Sequence, residues 1–190
     1  MNHLAHVFLA PDTPEARIGS ILGDFSRGLT LEELTPELQR GVQHHRAVDS
    51  YTDRHPQVRA SKRLFSQDRR RFAGVALDIL YDHYLLKHWD RFSELDREAF
   101  IQRVYAEFAE YEHLMPDPMA RVTRRMAAQD WFGQYQRLEN IGYALDRVAQ
   151  RIRFPNRFEG IIIEIQSHNA ELEDRFIAFF ADLQQHARGF

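Results

Sequence analysis

Residues 38–53 read Leu38-Gln39-Arg40-Gly41-Val42-Gln43-His44-His45-Arg46-Ala47-Val48-Asp49-Ser50-Tyr51-Thr52-Asp53. Leu38, Val42, His45 and Asp49 fall at i, i+4, i+7 and i+11, the spacing of one face of an α-helix and not of a strand. Just upstream, Thr35 and Pro36 supply an N-cap and a first helical residue, and His55-Pro56 closes the segment. The face starts apolar and becomes ionisable partway along. Side chains four residues apart lie one turn, about 6 Å, from each other, so His45 and Asp49 can reach one ion held against the helix. A surface ion pair or a satisfied buried histidine has the same spacing, and this segment alone leaves all three readings open.

The helical period continues in both directions. Before it come expected helices over Asn2–Ala10, ended by Pro11-Asp12-Thr13-Pro14, and over Ala16–Arg27, ended by Gly28. After it come Val58–Phe65 and the longer Arg70–Trp89. Ser93, with Asp96 three residues on, predicts the N-cap of a helix running toward Met115 and Pro116-Asp117-Pro118. Two more helices are expected before Pro155. A final one carries the stripe Phe158, Ile161, Ile165, Leu172, Phe176, Phe179 and Leu183, with Glu164, Glu171, Glu173 and Asp174 opposite. No sustained alternation argues for strands, so the expected fold is all-α, with residues 1–190 forming a single compact helical domain.

Composition narrows the chemistry. The 190 residues contain no cysteine, which excludes a disulfide framework, a thiolate metal site and a cysteine nucleophile. No run approaches the roughly 20 apolar residues of a membrane span, and the N-terminal Leu4–Ala10 run lacks a basic leader and is interrupted by His6. The expectation is a soluble cytoplasmic protein without a membrane partner. A net charge of −3 does not suggest a nucleic-acid binder. That average conceals two basic stretches: Arg54–Phe72 has seven Arg or Lys against Asp68, and Arg121–Arg157 has eight Arg against Asp130, Glu139 and Asp146. Either could dock an acidic partner or simply solvate a surface.

Two further segments set acids in apolar surroundings. Asp78 and Asp82 lie four apart in Val75–Trp89, on a face shared with Val75, Leu85 and Trp89; a rotated helix would instead bury Leu77, Tyr81 and Tyr84. Like charges about 4 Å apart repel by roughly 4 kcal/mol at an effective dielectric of 20, so two inward acids need a cation, a shared proton or water. Asp24 interrupts Gly19-Ser20-Ile21-Leu22-Gly23-Asp24-Phe25, flanked by small residues that permit close approach, although a helix cap or a partner for Arg27 would look the same. Together Asp24, His45, Asp49, Asp78 and Asp82 offer carboxylates and an imidazole from three helices, a set suited to octahedral Mn²⁺ or Mg²⁺ more than to Zn²⁺. There is no His-Glu-x-x-His, P-loop, Gly-x-Gly-x-x-Gly or Gly-x-Ser-x-Gly.

Met1-Asn2-His3-Leu4-Ala5-His6, Leu22-Gly23-Asp24-Phe25, His45-Arg46 through Asp49 to Thr52-Asp53-Arg54-His55-Pro56, Leu77-Asp78-Ile79-Leu80-Tyr81-Asp82-His83-Tyr84-Leu85 and His88-Trp89 follow in this order over about the first half of the chain. In these pieces the sequence resembles the acyl carrier protein phosphodiesterases, related to the HD-domain phosphohydrolases. The resemblance implies an HD-like helical fold, a divalent cation (Mn²⁺, with Mg²⁺ as the alternative) and metal-assisted hydrolysis of the phosphodiester between 4′-phosphopantetheine and a serine of acyl carrier protein. It implies Asp24, His45 and Asp78 as ligands, with Asp49 and Asp82 as further ligands or their hydrogen-bonding partners. His6 and His83 become the proton donors, and Arg46 a phosphate-neutralising group. The acidic carrier protein would dock on Arg54–Arg71 and Arg121–Arg157. Two other readings stand beside this one: an HD-like phosphohydrolase acting on a nucleotide, and a non-catalytic helical binding module whose His and Asp residues are structural.

Overall fold

A computed structural model describes residues 1–154 and 156–189. Among them there are twelve α-helices and no strand: α1 His3–Leu9, α2 Pro14–Phe25, α3 Pro36–Arg54, α4 Pro56–Arg63, α5 Ala73–Lys87, α6 Trp89–Phe92, α7 Arg97–Glu110, α8 Asp117–Ala128, α9 Trp131–Gln134, α10 Leu138–Arg151, α11 Ile162–Ser167 and α12 Asn169–Ala187. The all-α expectation is met. Local chemistry sets many of the boundaries. Thr13 and Thr35 accept from Ala16 N and Leu38 N, each with proline at the first helical position, and the ring of His55 accepts from Gln57 N ahead of Pro56.

Four boundaries differ from expectation. Asp96, not Ser93, caps α7, its carboxylate accepting from Ala99 N at 2.7 Å; Ser93 Oγ accepts from Leu95 N instead. The expected Arg70–Trp89 helix begins as a 3₁₀ turn, Arg70–Phe72, and its α-helical part ends at Lys87. Three helices, α8 to α10, replace the two expected before Pro155, because Asp130 adopts a left-handed conformation (φ 46°) and caps the short α9 through Gly133 N. Pro155 itself, like Phe190, lies outside the described residues. The single last helix is broken at His168 into α11 and α12. There Ser167 Oγ bonds back to the carbonyls of Ile163 and Glu164, and Asn169 accepts the hydroxyl of Tyr84.

The centre of the molecule is α5. It is buried almost all round: Leu77, Leu80, Tyr81, Tyr84, Leu85 and Leu86 are each 1% exposed or less, and Asp82 is fully buried on the same helix. The choice between two faces posed by the sequence therefore has no single answer, since both rows turn inward and Val75 is the exposed one. Around α5, α12 delivers Phe176 and Phe179 onto Tyr81, and Phe176 also reaches Tyr84. The α1 helix lies across α2 and α5, while α10 covers a different side of α5.

Helices α2 and α3 cross at two glycines. A Cβ added to Gly19 would come within 2.8 Å of the Gly41 Cα and 2.7 Å of the Leu38 carbonyl oxygen, so the backbones meet where no side chain fits. A bidentate pair between Arg17 and the buried Glu107 (2.5 and 2.6 Å) fixes the other side of α2 to α7. With α2, α3 and α5 held in this way, the ends of α1 and α2 meet the middles of α3 and α5.

Candidate functional site

At that meeting point His45 is the best-determined side chain. Its Nδ1 lies 2.7 Å from the Ser20 carbonyl oxygen, which must receive a proton; Nδ1 is therefore the protonated nitrogen when the ring is neutral, and Nε2 carries the lone pair. That Nε2 faces Asp49 Oδ2 at 3.2 Å and Asp24 Oδ1 at 3.7 Å. The ring seats against Gly23, where an added Cβ would fall 2.7 Å from Nδ1 and closer still to the ring carbons. Asp24 is thus neither a cap nor the partner of Arg27: it leaves the end of α2 beside His45, with His3 Nδ1 3.3 Å from its other oxygen.

His6, on α1, is fully buried and stacks on His45 with ring centroids 3.9 Å apart. Its Nε2 is 3.2 Å from Asp49 Oδ1 but in no hydrogen-bonding geometry, and neither ring nitrogen has a hydrogen-bond partner. His6, His45 and Asp49 each present one ligand atom, all within 4.8 Å of one another. The Met1 α-amino group donates to Asp49 Oδ1 at 2.8 Å and stands 3.2 Å from Asp78 Oδ1, bridging the two acids. Asp24, Asp49 and Asp78 keep 40, 39 and 40% of their side-chain surface exposed, so the cluster opens to solvent on the carboxylate side.

Protonation follows from these contacts. Burial drives the His6 imidazole down to about 3 against the pull of Asp49, with the Met1 amine and His45 adding to the fall. It is neutral at pH 7. Burial would raise Asp49, but contacts with His45 and His6 and the charge of the amine hold it far below the usual carboxylate range. Asp78 goes the other way, raised by burial and by Asp49 against the amine. For His45, burial is outweighed by Asp49 and Asp24 and its value rises. Orphaned imidazole nitrogens facing carboxylates are a donor set that fits a divalent cation.

The remaining residues singled out from the sequence lie apart from this cluster. Asp82 accepts from Leu4 N (3.1 Å), Ala5 N (3.0 Å) and Asn2 Nδ2 (2.8 Å), anchoring the first turn of α1 to α5. His83 bonds the Tyr135 carbonyl through Nδ1 at 2.8 Å. Arg46 is exposed on α3, with no ion pair among the described residues. Sequence reasoning missed His3 beside Asp24 and the amine between Asp49 and Asp78. The basic stretches are partly spent within the fold, since Arg69 bonds the carbonyls of Arg157 and Glu159 and pairs with Glu164, and Arg157 pairs with Asp68.

Comparison with known proteins bears on the whole chain. The family model described as acyl carrier protein phosphodiesterase matches residues 1–183. The chain belongs to the acyl carrier protein phosphodiesterase family. Among its relatives, the acyl carrier protein phosphodiesterase of Serratia proteamaculans (strain 568) is 31% identical over 99% of this chain and 98% of its own length. The protein of that name from Yersinia pestis is also 31% identical with the same coverage, and that from Salmonella agona (strain SL483) is 28% identical over 98% of this chain and 97% of its own. No solved structure matches the chain. The family match extends past α8 and into α12, well beyond the motifs of the first half. Among the described residues, no helix is long and apolar enough to cross a membrane.

Proposed function

We propose that this member of the acyl carrier protein phosphodiesterase family hydrolyses the phosphodiester joining 4′-phosphopantetheine to a serine of holo-acyl carrier protein, giving the apo-protein and 4′-phosphopantetheine. The observation that carries this reading is the convergence of His6, His45 and Asp49, with His6 left unsatisfied in a buried position, in a chain of this family. His45 through Nε2, His6 and Asp49 would hold a divalent cation, Mn²⁺ or Mg²⁺, with Asp24 and Asp78 bordering it. When bound, such a cation supplies positive charge to the phosphate and acidifies water at neutral pH.

The chain's own groups do the rest. The Ser20 carbonyl fixes the His45 tautomer, so that Nε2 presents a lone pair and not a proton. A neutral His6 is better suited to offer a lone pair than to give a proton, which reassigns it from donor to ligand. His83 points its Nδ1 at Tyr135 instead, which leaves His3 as the imidazole adjoining Asp24 that can pass a proton to the departing serine oxygen. Asp82 acts at a distance, by holding the turn that bears His3 and His6. Arg54, Arg59 and Arg63, which make no ion pair among the described residues, are among the basic side chains available to meet an acidic carrier protein.

The test is incubation of purified protein and Mn²⁺ with holo-acyl carrier protein, read by mass spectrometry for loss of the arm. Parent protein should release it, and Asp49→Ala should abolish both release and Mn²⁺ binding while keeping its helical circular dichroism. An intact holo-protein after incubation with folded, Mn²⁺-loaded parent would overturn the proposal.

A further inference from the structure

Beside the cluster a cavity of about 430 Å³ begins at Asn2 and His3 and extends between α5, the α8–α9 connection and α10. This volume is in the range of small-ligand sites. It is continuous with the site, because His3 lines it and also stands 3.3 Å from Asp24. Its walls are mixed, with Arg147 and Arg151 adding positive charge. Ile79, Ala144 and Val148 form an apolar side, while Asn2, Gln129, Gln134 and Asn140 contribute carboxamides. Asn140 Nδ2 donates to the backbone carbonyl and Oε1 of Gln134, at 2.9 Å each, which leaves the Asn140 carbonyl oxygen and the Gln134 amino group uncommitted among the described residues. Trp131 Nε1 donates to Gln129 Oε1 at 2.9 Å, steadying an indole in the wall. Among the described residues no carboxylate lines the space.

A secondary amide presents one N–H and one C=O, which carboxamide side chains match in both directions. A branched aliphatic group needs an apolar wall. A flexible arm that carries both features and is joined to the phosphate at one end fits a cavity that starts at the phosphate-binding cluster. We propose that this cavity holds the pantetheine arm of the carrier protein, its amides on Gln134 and Asn140 and its branched alkyl portion against Ile79 and Val148. This inference rests on the function proposed above. Recognition of the arm here would separate pantetheine-linked phosphodiesters from others, a discrimination the His6–His45–Asp49 cluster cannot make by itself.

Free pantetheine, which lacks the scissile bond, is the probe. Of the two tryptophans Trp89 is buried in the core, so quenching of emission on titration reports Trp131 in the cavity wall. Pantetheine should quench the metal-free parent and compete with holo-acyl carrier protein in the Mn²⁺-loaded turnover assay. Ala144→Phe, which fills the cavity from α10, should weaken pantetheine binding about tenfold or more by calorimetry. The double variant Gln134→Ala/Asn140→Ala should do the same without adding bulk, and it serves if Ala144→Phe does not fold. Unchanged pantetheine affinity in a folded variant would overturn the assignment, as would quenching by AMP with none by pantetheine. Pantetheine binding that persists in a parent unable to cleave holo-protein would support the cavity and overturn the reaction, so the two failures are distinguishable.

Discussion

Gly23→Ala adds one methyl group and removes no ligand, yet it should disable the site. The new Cβ would fall 2.7 Å from His45 Nδ1 and nearer to the ring carbons, well inside van der Waals contact. The imidazole cannot retreat freely, since its Nδ1 is held 2.7 Å from the Ser20 carbonyl and its other face is stacked on His6. Nor can α2 move off α3 without opening the Gly19–Gly41 contact. Overpacking of this kind costs about 1–3 kcal/mol, offset by the roughly 1 kcal/mol that alanine contributes over glycine within a helix. The net loss should be about 0–2 kcal/mol, a fall in Tm of at most about 8 °C for a chain of this size. Mn²⁺ affinity should fall more sharply, about 10–100-fold, as when an outer partner that orients a ligand is lost. Gly74→Ala is the control: its nearest atoms are Lys62 Cε and Nζ at 3.6 and 3.7 Å, ordinary contact, so Mn²⁺ binding should hold. Calorimetric titration with Mn²⁺ and thermal melts on the three proteins decide the matter. Parent-like Mn²⁺ affinity in Gly23→Ala would refute the placement of His45 in the site.

Asp82 should give the fold a stability that declines with pH. Burial raises its carboxyl to about 6, against the backbone N–H groups of Ala5 and Leu4. Between the unfolded value of about 4 and that folded value the native state binds more protons than the unfolded one, so stability falls by about 3 kcal/mol as pH rises through this window. His6, with its value lowered to about 3, acts with opposite sign across the same window, and Asp24 and Asp49, with depressed values, do so only below about pH 4. In melts from pH 4 to 7 the stability of Asp82→Asn relative to the parent should therefore rise with pH, and parallel slopes would count against an ionisable Asp82 in the core. Reversing Arg54, Arg59 and Arg63 to Glu should lower kcat/KM for holo-acyl carrier protein at low salt and converge on the parent as salt rises, because exposed charges are screened over about 8 Å at physiological ionic strength. Equal kcat/KM at low salt would move the docking surface elsewhere.

The helical period and its caps were legible in the sequence because both are local: Thr13-Pro14 and Thr35-Pro36 start helices whatever surrounds them. The first-half motifs likewise pointed to Asp24, His45, Asp49 and Asp78, four acids and imidazoles set in apolar rows, and the fold gathers all four around the Met1 amine and His6. What could not be read was the orientation of each side chain. Period 3.6 places Asp78 and Asp82 on one face, but whether an acid meets another acid or the free N–H groups of a helix start depends on which helix crosses above it. Here α1 does, and it makes Asp82 an anchor while leaving Asp78 at the site. The break at His168 and the capping of α9 by Asp130 were equally hidden, since both depend on the surrounding fold. Sequence determined which acids and imidazoles interrupt apolar rows and on which helices they sit; only packing, through the glycine crossing of α2 and α3 and the lid of α1, decided which of them face one another, because contacts between helices distant in the chain are set by side-chain volume and not by local period.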